Sequence, residues 1–140
     1  MGGKARHIGG NLYYIERGSI LEIEGKKLLC FGGAESWDKE DRDEGINWWR
    51  AELPTSEELK TCADNLEATG WQVDYIITHC APTSIALMGS RHNEADRLTD
   101  FLQEVRERAK YHYWLFGHYH DNRAIDEKHI LLWEQIVQVI

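Results

Sequence analysis

The feature that most constrains the fold of this 140-residue sequence is an apolar run, an amphipathic helix and a second apolar run between positions 73 and 116. The first run, Val73 to Thr78, and the second, Tyr111 to Phe116, are short and rich in β-branched or aromatic residues, which is typical of strands. Between them, apolar residues recur at helical spacing: Ala95, Leu98, Leu102, Val105 and Ala109. Such a crossover makes the two strands parallel, so both end at one edge of a sheet. The first strand is almost continuously apolar, and we expect it to be buried on both faces.

Local signals predict where the helices begin and end. Asn93 is the expected cap of the crossover helix, and the acidic Glu94 suits its positive end. Upstream, Thr55 and Glu58 form a capping-box pattern, and Gly70 supplies the stop for that helix. The sequence therefore predicts a second helix directly before the first strand.

Further strands are predicted where short apolar runs alternate with turn residues. These are Leu12–Ile15, a hairpin of Ile20–Glu24 and Lys27–Phe31, a hairpin of Ala124–Ile125 and Ile130–Leu132, and a last strand over Ile136–Ile140. No linker or repeat interrupts the pattern, so we expect an α/β fold and a single domain over residues 1–140.

A histidine follows each strand of the crossover. His79 comes directly after the first strand, and Gly117 leads from the second into His118 and His120. We expect the glycine to provide the sharp turn that lets both imidazoles reach one site. Because neutral imidazole is the commonest side-chain ligand for zinc, iron and similar ions, the three histidines predict a metal site. The alternative is that a His-x-His pair lies by chance in an exposed loop.

Three neighbours of these histidines are weaker candidates. Arg123 could bind a phosphate group through its guanidinium, or form a surface salt bridge instead. Asn122 could contact substrate or orient a ligand, although a turn residue is the simpler interpretation. The thiolate of Cys80 could touch a metal, but a small residue packed beneath the site is the favoured interpretation.

Composition excludes several classes of partner. The formal net charge of −8 argues against a general nucleic-acid surface, since phosphate backbones need clustered Lys and Arg. No apolar stretch is long enough to span a membrane, and the start at Met1–Arg6 lacks the hydrophobic segment of a signal peptide. The three cysteines have no paired spacing, which suits reduced thiols. We therefore expect a cytoplasmic protein that does not bind membranes.

Taken in order, the motifs resemble the calcineurin-like metallophosphoesterase family. The matching segments are Gly32–Asp38, Thr78–Pro82 with His79, and Gly117–His120. The resemblance implies an α/β/β/α sandwich with mixed sheets, and hydrolysis of a phosphomonoester or phosphodiester by a water that two divalent ions (Mn, Fe, Zn or similar) activate. It also implies that His79 and His118 bind one ion, and that His120 binds the other.

The family's earlier motifs are missing from the sequence. No Asp-x-His, bridging Gly-Asp or Gly-Asn-His pattern precedes His79, and the sole upstream histidine is His7. The resemblance thus implies a C-terminal half of the domain without its N-terminal strands, and it assigns no catalytic residue to this chain. We expect weak or absent metal binding and no activity from the chain alone. We also expect self-association, or a partner chain that supplies the missing half.

Two other functional hypotheses remain open. A non-catalytic binding or assembly module could keep the fold without the chemistry. A different metal enzyme could also carry a His-x-His motif, but metallo-β-lactamase-like enzymes need His-x-His-x-Asp-His, whereas Asp121-Asn122-Arg123 follows here. Amidohydrolases place their His-x-His on the first strand. The phosphoesterase hypothesis therefore accounts best for the order of the motifs.

Overall fold

The computed structural model describes residues 4–35, 39–88 and 95–140. Its strands are β1 (Ala5–Gly9), β2 (Leu12–Ile15), β3 (Ser19–Ile23), β4 (Lys26–Phe31), β5 (Tyr75–Thr78), β6 (Tyr113–Phe116), β7 (Arg123–Ala124) and β8 (His129–Leu131). Its helices are α1 (Ser56–Ala68), α2 (Thr83–Ala86) and α3 (Arg97–Arg108), with 3-10 turns at Lys39–Asp41 and Arg50–Glu52. The chain is thus mixed α/β, as expected.

The main sheet has six strands in the order β3-β4-β5-β6-β8-β7. Strands β4, β5, β6 and β8 run parallel, and β3 and β7 pair antiparallel at the two edges. Ile76 of β5 lies beside Trp114 of β6, so the predicted crossover does join two neighbouring parallel strands. The predicted hairpin of β3 and β4 is confirmed, with its turn at Glu24 and Gly25, which both have positive φ.

Each of the two long helices begins directly after a residue whose side chain caps it. In α1 the Thr55 side chain accepts the Glu58 N–H, and the Glu58 carboxylate accepts the Thr55 N–H, as predicted. The predicted start of α3 is wrong, because the helix begins at Arg97 and its cap is Asp96. The Asp96 carboxylate accepts the Thr99 N–H at 2.8 Å, and Thr99 Oγ1 accepts the Asp96 N–H at 2.9 Å. This reciprocal pair of hydrogen bonds makes Asp96 the N-cap of α3.

Two parts of the predicted helix therefore differ from the structure. Ala95, which we expected on the buried stripe, precedes the helix and is exposed. Asn93 and Glu94 lie outside the described residues.

Both long helices pack on one face of the sheet. From β4 through β5 to β6 the chain moves across the sheet in a single direction, and right-handed crossovers then place α1 and α3 on the same side. Leu66 of α1 and Leu102 of α3 share one buried cluster with Ile76 and Trp114 of the sheet. The core thus lies between this face and the two helices.

The opposite face of the sheet is apolar and partly exposed. Ile77 is 37% exposed and Tyr113 44%, and Ile23 on the edge strand is 46% exposed. Tyr75 and Tyr113 stack there with ring planes 7° apart. The expectation that β5 is buried on both faces therefore holds only in part: on this face Tyr75 is buried but Ile77 is exposed, because both crossovers cover the other face.

The ends of the chain lie outside the main sheet. Strands β1 and β2 form a separate antiparallel pair with exposed side chains. The predicted last strand over Ile136–Ile140 is wrong, since this segment has no regular structure and Ile136 is fully exposed. The segment pairs with none of the strands of the described sheet.

Within residues 4–35, 39–88 and 95–140, no helix is long and apolar enough to cross a bilayer.

Candidate metal centre

Backbone pairing continues past the strand ends and holds the first two histidines at one edge of the sheet. The His79 N–H donates to the Phe31 carbonyl at 3.3 Å, and the Gly117 N–H donates to the His79 carbonyl at 2.9 Å. His79 and His118 therefore leave neighbouring parallel strands side by side. This is the edge at which open α/β sheets usually bind ligands.

The imidazoles of His79 and His118 are in direct contact. His79 Nε2 lies 3.2 Å from His118 Nδ1, and the two ring centroids are 5.1 Å apart. In a tetrahedral zinc site with Zn–N bonds of about 2.0–2.1 Å, two ligand nitrogens lie about 3.3 Å apart. The spacing of the pair thus fits two ligands of one ion.

The turn that carries His118 and His120 is made by the histidines themselves. Both have positive φ, 73° and 52°, whereas Gly117 does not. The expectation that Gly117 provides the turn is therefore wrong. Left-handed backbone at a non-glycine residue is uncommon and costs about 1 kcal/mol or more, and such residues cluster at functional sites.

Burial keeps the histidine pair neutral. It lowers the pKa of His79, and the charge of His120 lowers it further. Burial, followed by the charges of His79 and His120, lowers the pKa of His118 to about 4. The Glu52 carboxylate opposes both shifts. Near neutral pH both imidazoles are thus in the form that can bind a cation.

His120 follows His118 by two residues and is exposed. Its ring stacks on Trp133, with centroids 5.7 Å apart and planes 20° from parallel. Its charge lowers the pKa of both His79 and His118. Among the described residues, however, no group of three or more His, Cys, Asp or Glu side chains is already arranged to hold a metal ion.

Buried side chains support the turn after His79. Trp114 Nε1 donates to Thr78 Oγ1 at 2.8 Å, and this hydroxyl donates to the Cys80 carbonyl at 2.5 Å. The Tyr119 hydroxyl accepts the Ala81 N–H at 3.3 Å and so joins the two histidine loops. Cys80 is 2% exposed, and burial raises the pKa of its thiol to about 12. Cys80 thus packs beneath the site as a neutral thiol.

The structure places Asn122 and Arg123 in other contacts. Asn122 Oδ1 accepts the N–H groups of Trp133 and Glu134 at 2.8 and 3.2 Å, and so joins the loop after β6 to the segment after β8. Arg123 is exposed and lies 4.0 Å from Asp121. Neither contact involves the three histidines.

Two residues near the histidines were missed by the sequence interpretation. Trp133 stacks on His120, and Glu52 acts electrostatically on the other two histidines. Local spacing contains no signal for either residue, since each is brought in by a separate loop. An exposed tryptophan soon after a His-x-His motif could have drawn attention to Trp133.

The glycine-rich loop after β4 reaches the same edge. Gly33 has φ of +107°, and a Cβ there would collide with the Glu52 carbonyl oxygen. The glycine is thus required for the close approach of the loop that carries Glu52. The rest of the predicted motif, Ser36–Asp38, lies outside the described residues.

Comparisons of the chain with protein-family models, with curated proteins and with solved structures find no match. The metallophosphoesterase resemblance therefore stays a prediction that rests on the motifs and on the arrangement of this site.

Proposed function

We propose that this chain supplies the histidine side of a two-metal phosphoesterase centre that hydrolyses a phosphomonoester or phosphodiester. The observation that carries the proposal is the 3.2 Å contact between His79 Nε2 and His118 Nδ1 at the carboxyl edge of two parallel strands. Neutral imidazoles at this spacing suit one divalent ion. His120 would bind the second ion.

The chain's own residues position these ligands. The β5 and β6 strand ends hold His79 and His118, and Trp133 fixes the plane of the His120 ring by stacking. Bound divalent ions in such a centre lower the pKa of a water and neutralise phosphoryl charge. Mn, Fe, Zn or a similar metal would fill this centre, and its substrate would be a phosphorylated molecule.

The proposed centre is incomplete in this sequence. A stable catalytic ion needs about three protein ligands plus water, and the bridging aspartate motif is missing. We therefore expect the pure chain, with Mn²⁺ or Zn²⁺, to hydrolyse an aryl phosphate no faster than the uncatalysed background rate. Metal-dependent turnover at a rate typical of enzymes would contradict the expected inactivity.

We propose that the missing strands come from a second copy or from a partner chain, and complete an α/β/β/α sandwich. Support comes from the exposed apolar sheet face with Ile23, Ile77 and Tyr113, since sheets normally cover such a face. The free thiols of Cys30, Cys62 and Cys80 suit the cytoplasmic location that we propose. Light scattering should give a mass above the 16.3 kDa of one chain, and a monomer at high concentration would contradict self-association.

Imidazole NMR tests the metal site directly. The chain contains seven histidines, and Zn²⁺ should shift the ring nitrogen signals of His79, His118 and His120 while it leaves exposed His112 unchanged. Replacing His118 by Ala should remove the response of His79. Absence of any response at millimolar Zn²⁺, or a response confined to other histidines, would refute the proposed function.

A non-catalytic assembly module is the second candidate, and the exposed apolar sheet face favours it. In that case the chain would form a stable complex through this face, but Zn²⁺ would leave the three imidazoles unchanged. The light-scattering and NMR experiments together separate the two functions.

A further inference from the structure

The amino ends of the parallel strands β4, β5 and β6 lie side by side, at the edge of the sheet opposite the histidine pair. Backbone hydrogen bonds continue before the strands begin. The Asp74 N–H donates to the Lys27 carbonyl at 2.9 Å, and the His112 N–H donates to the Asp74 carbonyl at 2.9 Å. The Val73 N–H donates to the Lys110 carbonyl at 3.0 Å. The backbone of the sheet thus fixes the relative positions of four polar or charged residues at this edge.

A cavity of about 380 Å³ opens at the amino edge. The residues that line it include Lys27, Asp74, Lys110 and His112. Small-molecule sites usually have volumes of about 300–1,000 Å³. The cavity is therefore large enough for a small ligand, at the other end of the strands from the candidate metal centre.

Positive charge exceeds negative charge at this cavity. Asp74 is the single carboxylate among the described residues that line it. Its Oδ2 accepts the Lys27 N–H at 2.8 Å, and its Oδ1 lies 3.6 Å from His112 Nε2. Within the part of the chain that the structure describes, the ammonium groups of Lys27 and Lys110 have no ion-pair or hydrogen-bond partner. Two ammonium groups thus line the cavity without a carboxylate of their own.

This surplus of positive charge stands out in a chain with 24 acidic and 16 basic residues. Lys60, for example, pairs with Asp64 at 2.7 Å. At the cavity, by contrast, a third ammonium group is added, because Lys128 Nζ donates to the carbonyl of Tyr111, another lining residue, at 2.9 Å. Lysine binds phosphate groups as a point charge, so an arrangement of this kind suits a compact anion.

We propose that this cavity binds a compact phosphoryl anion of the size of diphosphate. The ammonium groups of Lys27 and Lys110 neutralise its charge, and the paired strand starts hold the backbones of both lysines in place. Diphosphate carries several negative charges in a small volume, which matches several ammonium groups around one cavity. The inference is independent of the proposed function, since this site needs no metal and lies at the opposite edge of the sheet.

Backbone amide NMR of the full chain, in metal-free buffer with diphosphate as the probe, tests the proposal. Diphosphate should shift the amide signals of Lys27, Lys110 and His112 and leave those of the histidine pair unchanged. Succinate should bind more weakly, because its two carboxylates carry less charge and fewer acceptor oxygens. Absence of shifts at millimolar diphosphate, or equally tight binding of succinate, would overturn the proposal.

Charge-removing variants test which lysines hold the anion. Lys27→Gln and Lys110→Gln should each weaken diphosphate binding about fivefold, the upper range for a partly exposed ion pair. The matched control is Lys60→Gln, which removes the same charge from an exposed lysine on α1 and should bind as the parent chain does. Equal weakening in the control would mean that net charge attracts the anion, and the proposed site would be refuted.

Thermal unfolding without diphosphate checks that the variants are folded. Lys27 is half-buried, whereas Lys110 is exposed, so Lys110→Gln tests the site even if Lys27→Gln unfolds. A folded Lys110→Gln chain that binds diphosphate as tightly as the parent chain would contradict the proposal.

Discussion

Histidines lie at both ends of the parallel strands, but protein groups satisfy them to very different degrees. At the amino end, His129 Nδ1 lies 2.8 Å from the Asp126 carboxylate and Nε2 lies 2.7 Å from the Tyr111 hydroxyl. Asp126 can only accept, so Nδ1 donates to it and Tyr111 donates to Nε2. His129 is 4% exposed and has a protein partner for each nitrogen.

At the carboxyl end, the histidines lack this support. Among the described residues, the hydrogen bond of the His79 ring is to His118, which is itself a histidine. His118 also has positive φ, whereas His129 does not. A structural histidine such as His129 needs no ligand, whereas two neutral imidazoles that face each other are suited to accept one. The difference between the two ends thus points to His79 and His118 as the functional pair.

The largest expected effect is on stability at the amino end. His129→Ala should lower the free energy of unfolding by about 3 kcal/mol, because it leaves a cavity and removes a partner from both Asp126 and Tyr111. His118→Ala should lower it by less than about 1 kcal/mol, because the ring is only partly buried. Urea denaturation of both variants measures the difference. Equal losses would show that the two histidines are equally structural.

Much of the architecture could be predicted because it depends on local patterns. The crossover of β5, α3 and β6 follows from apolar spacing, and the turn at Gly25 follows from a residue that adopts positive φ. The exposure of Ile77 could not be predicted, since it depends on which face both crossovers cover. The apolar run at Ile136 also resembles a strand, but it pairs with no strand of the described sheet, and apolar spacing alone does not show whether a segment finds such a partner.

The candidate metal centre also contains residues that the sequence predicts and residues that it does not. The contact between His79 and His118 could be predicted because each follows the end of one of two neighbouring parallel strands. The position of Glu52 could not be predicted, since it depends on hydrogen bonds from Arg17 Nη2 to the carbonyls of Ala51 and Glu52, and on packing against Gly33. Contacts between distant loops leave no periodicity in the sequence.

The stability of the fold should also depend on pH through His129, at the amino end of the parallel strands. Burial lowers the pKa of His129 from its ordinary value of 6.5, and the charges of Arg106 and Lys128 act in the same direction, while Asp126 opposes them. The unfolded chain therefore binds more protons between the folded pKa and 6.5. Stability should rise with pH through that window and be fully present above it. The buried Tyr111, whose pKa is raised to about 12, does not titrate there.

NMR titration of the His129 imidazole, with urea denaturation at several pH values, checks this prediction. His129→Ala should remove its share of the pH dependence. A His129 pKa above 6.5 would reverse the sign, and would mean that the ion pair with Asp126 outweighs burial.

The smallest expected effect is a gain of stability at the carboxyl end. His118→Gly should raise the free energy of unfolding of the metal-free chain by up to about 1 kcal/mol, because glycine adopts positive φ without strain. The same variant should lose Zn²⁺ binding, since it removes a ligand nitrogen. The control is Tyr119→Gly, in the same loop without a positive φ, which should lower stability through lost packing. A marked loss of stability in His118→Gly would mean that the ring supports the fold, and the contrast between the two ends would then fail.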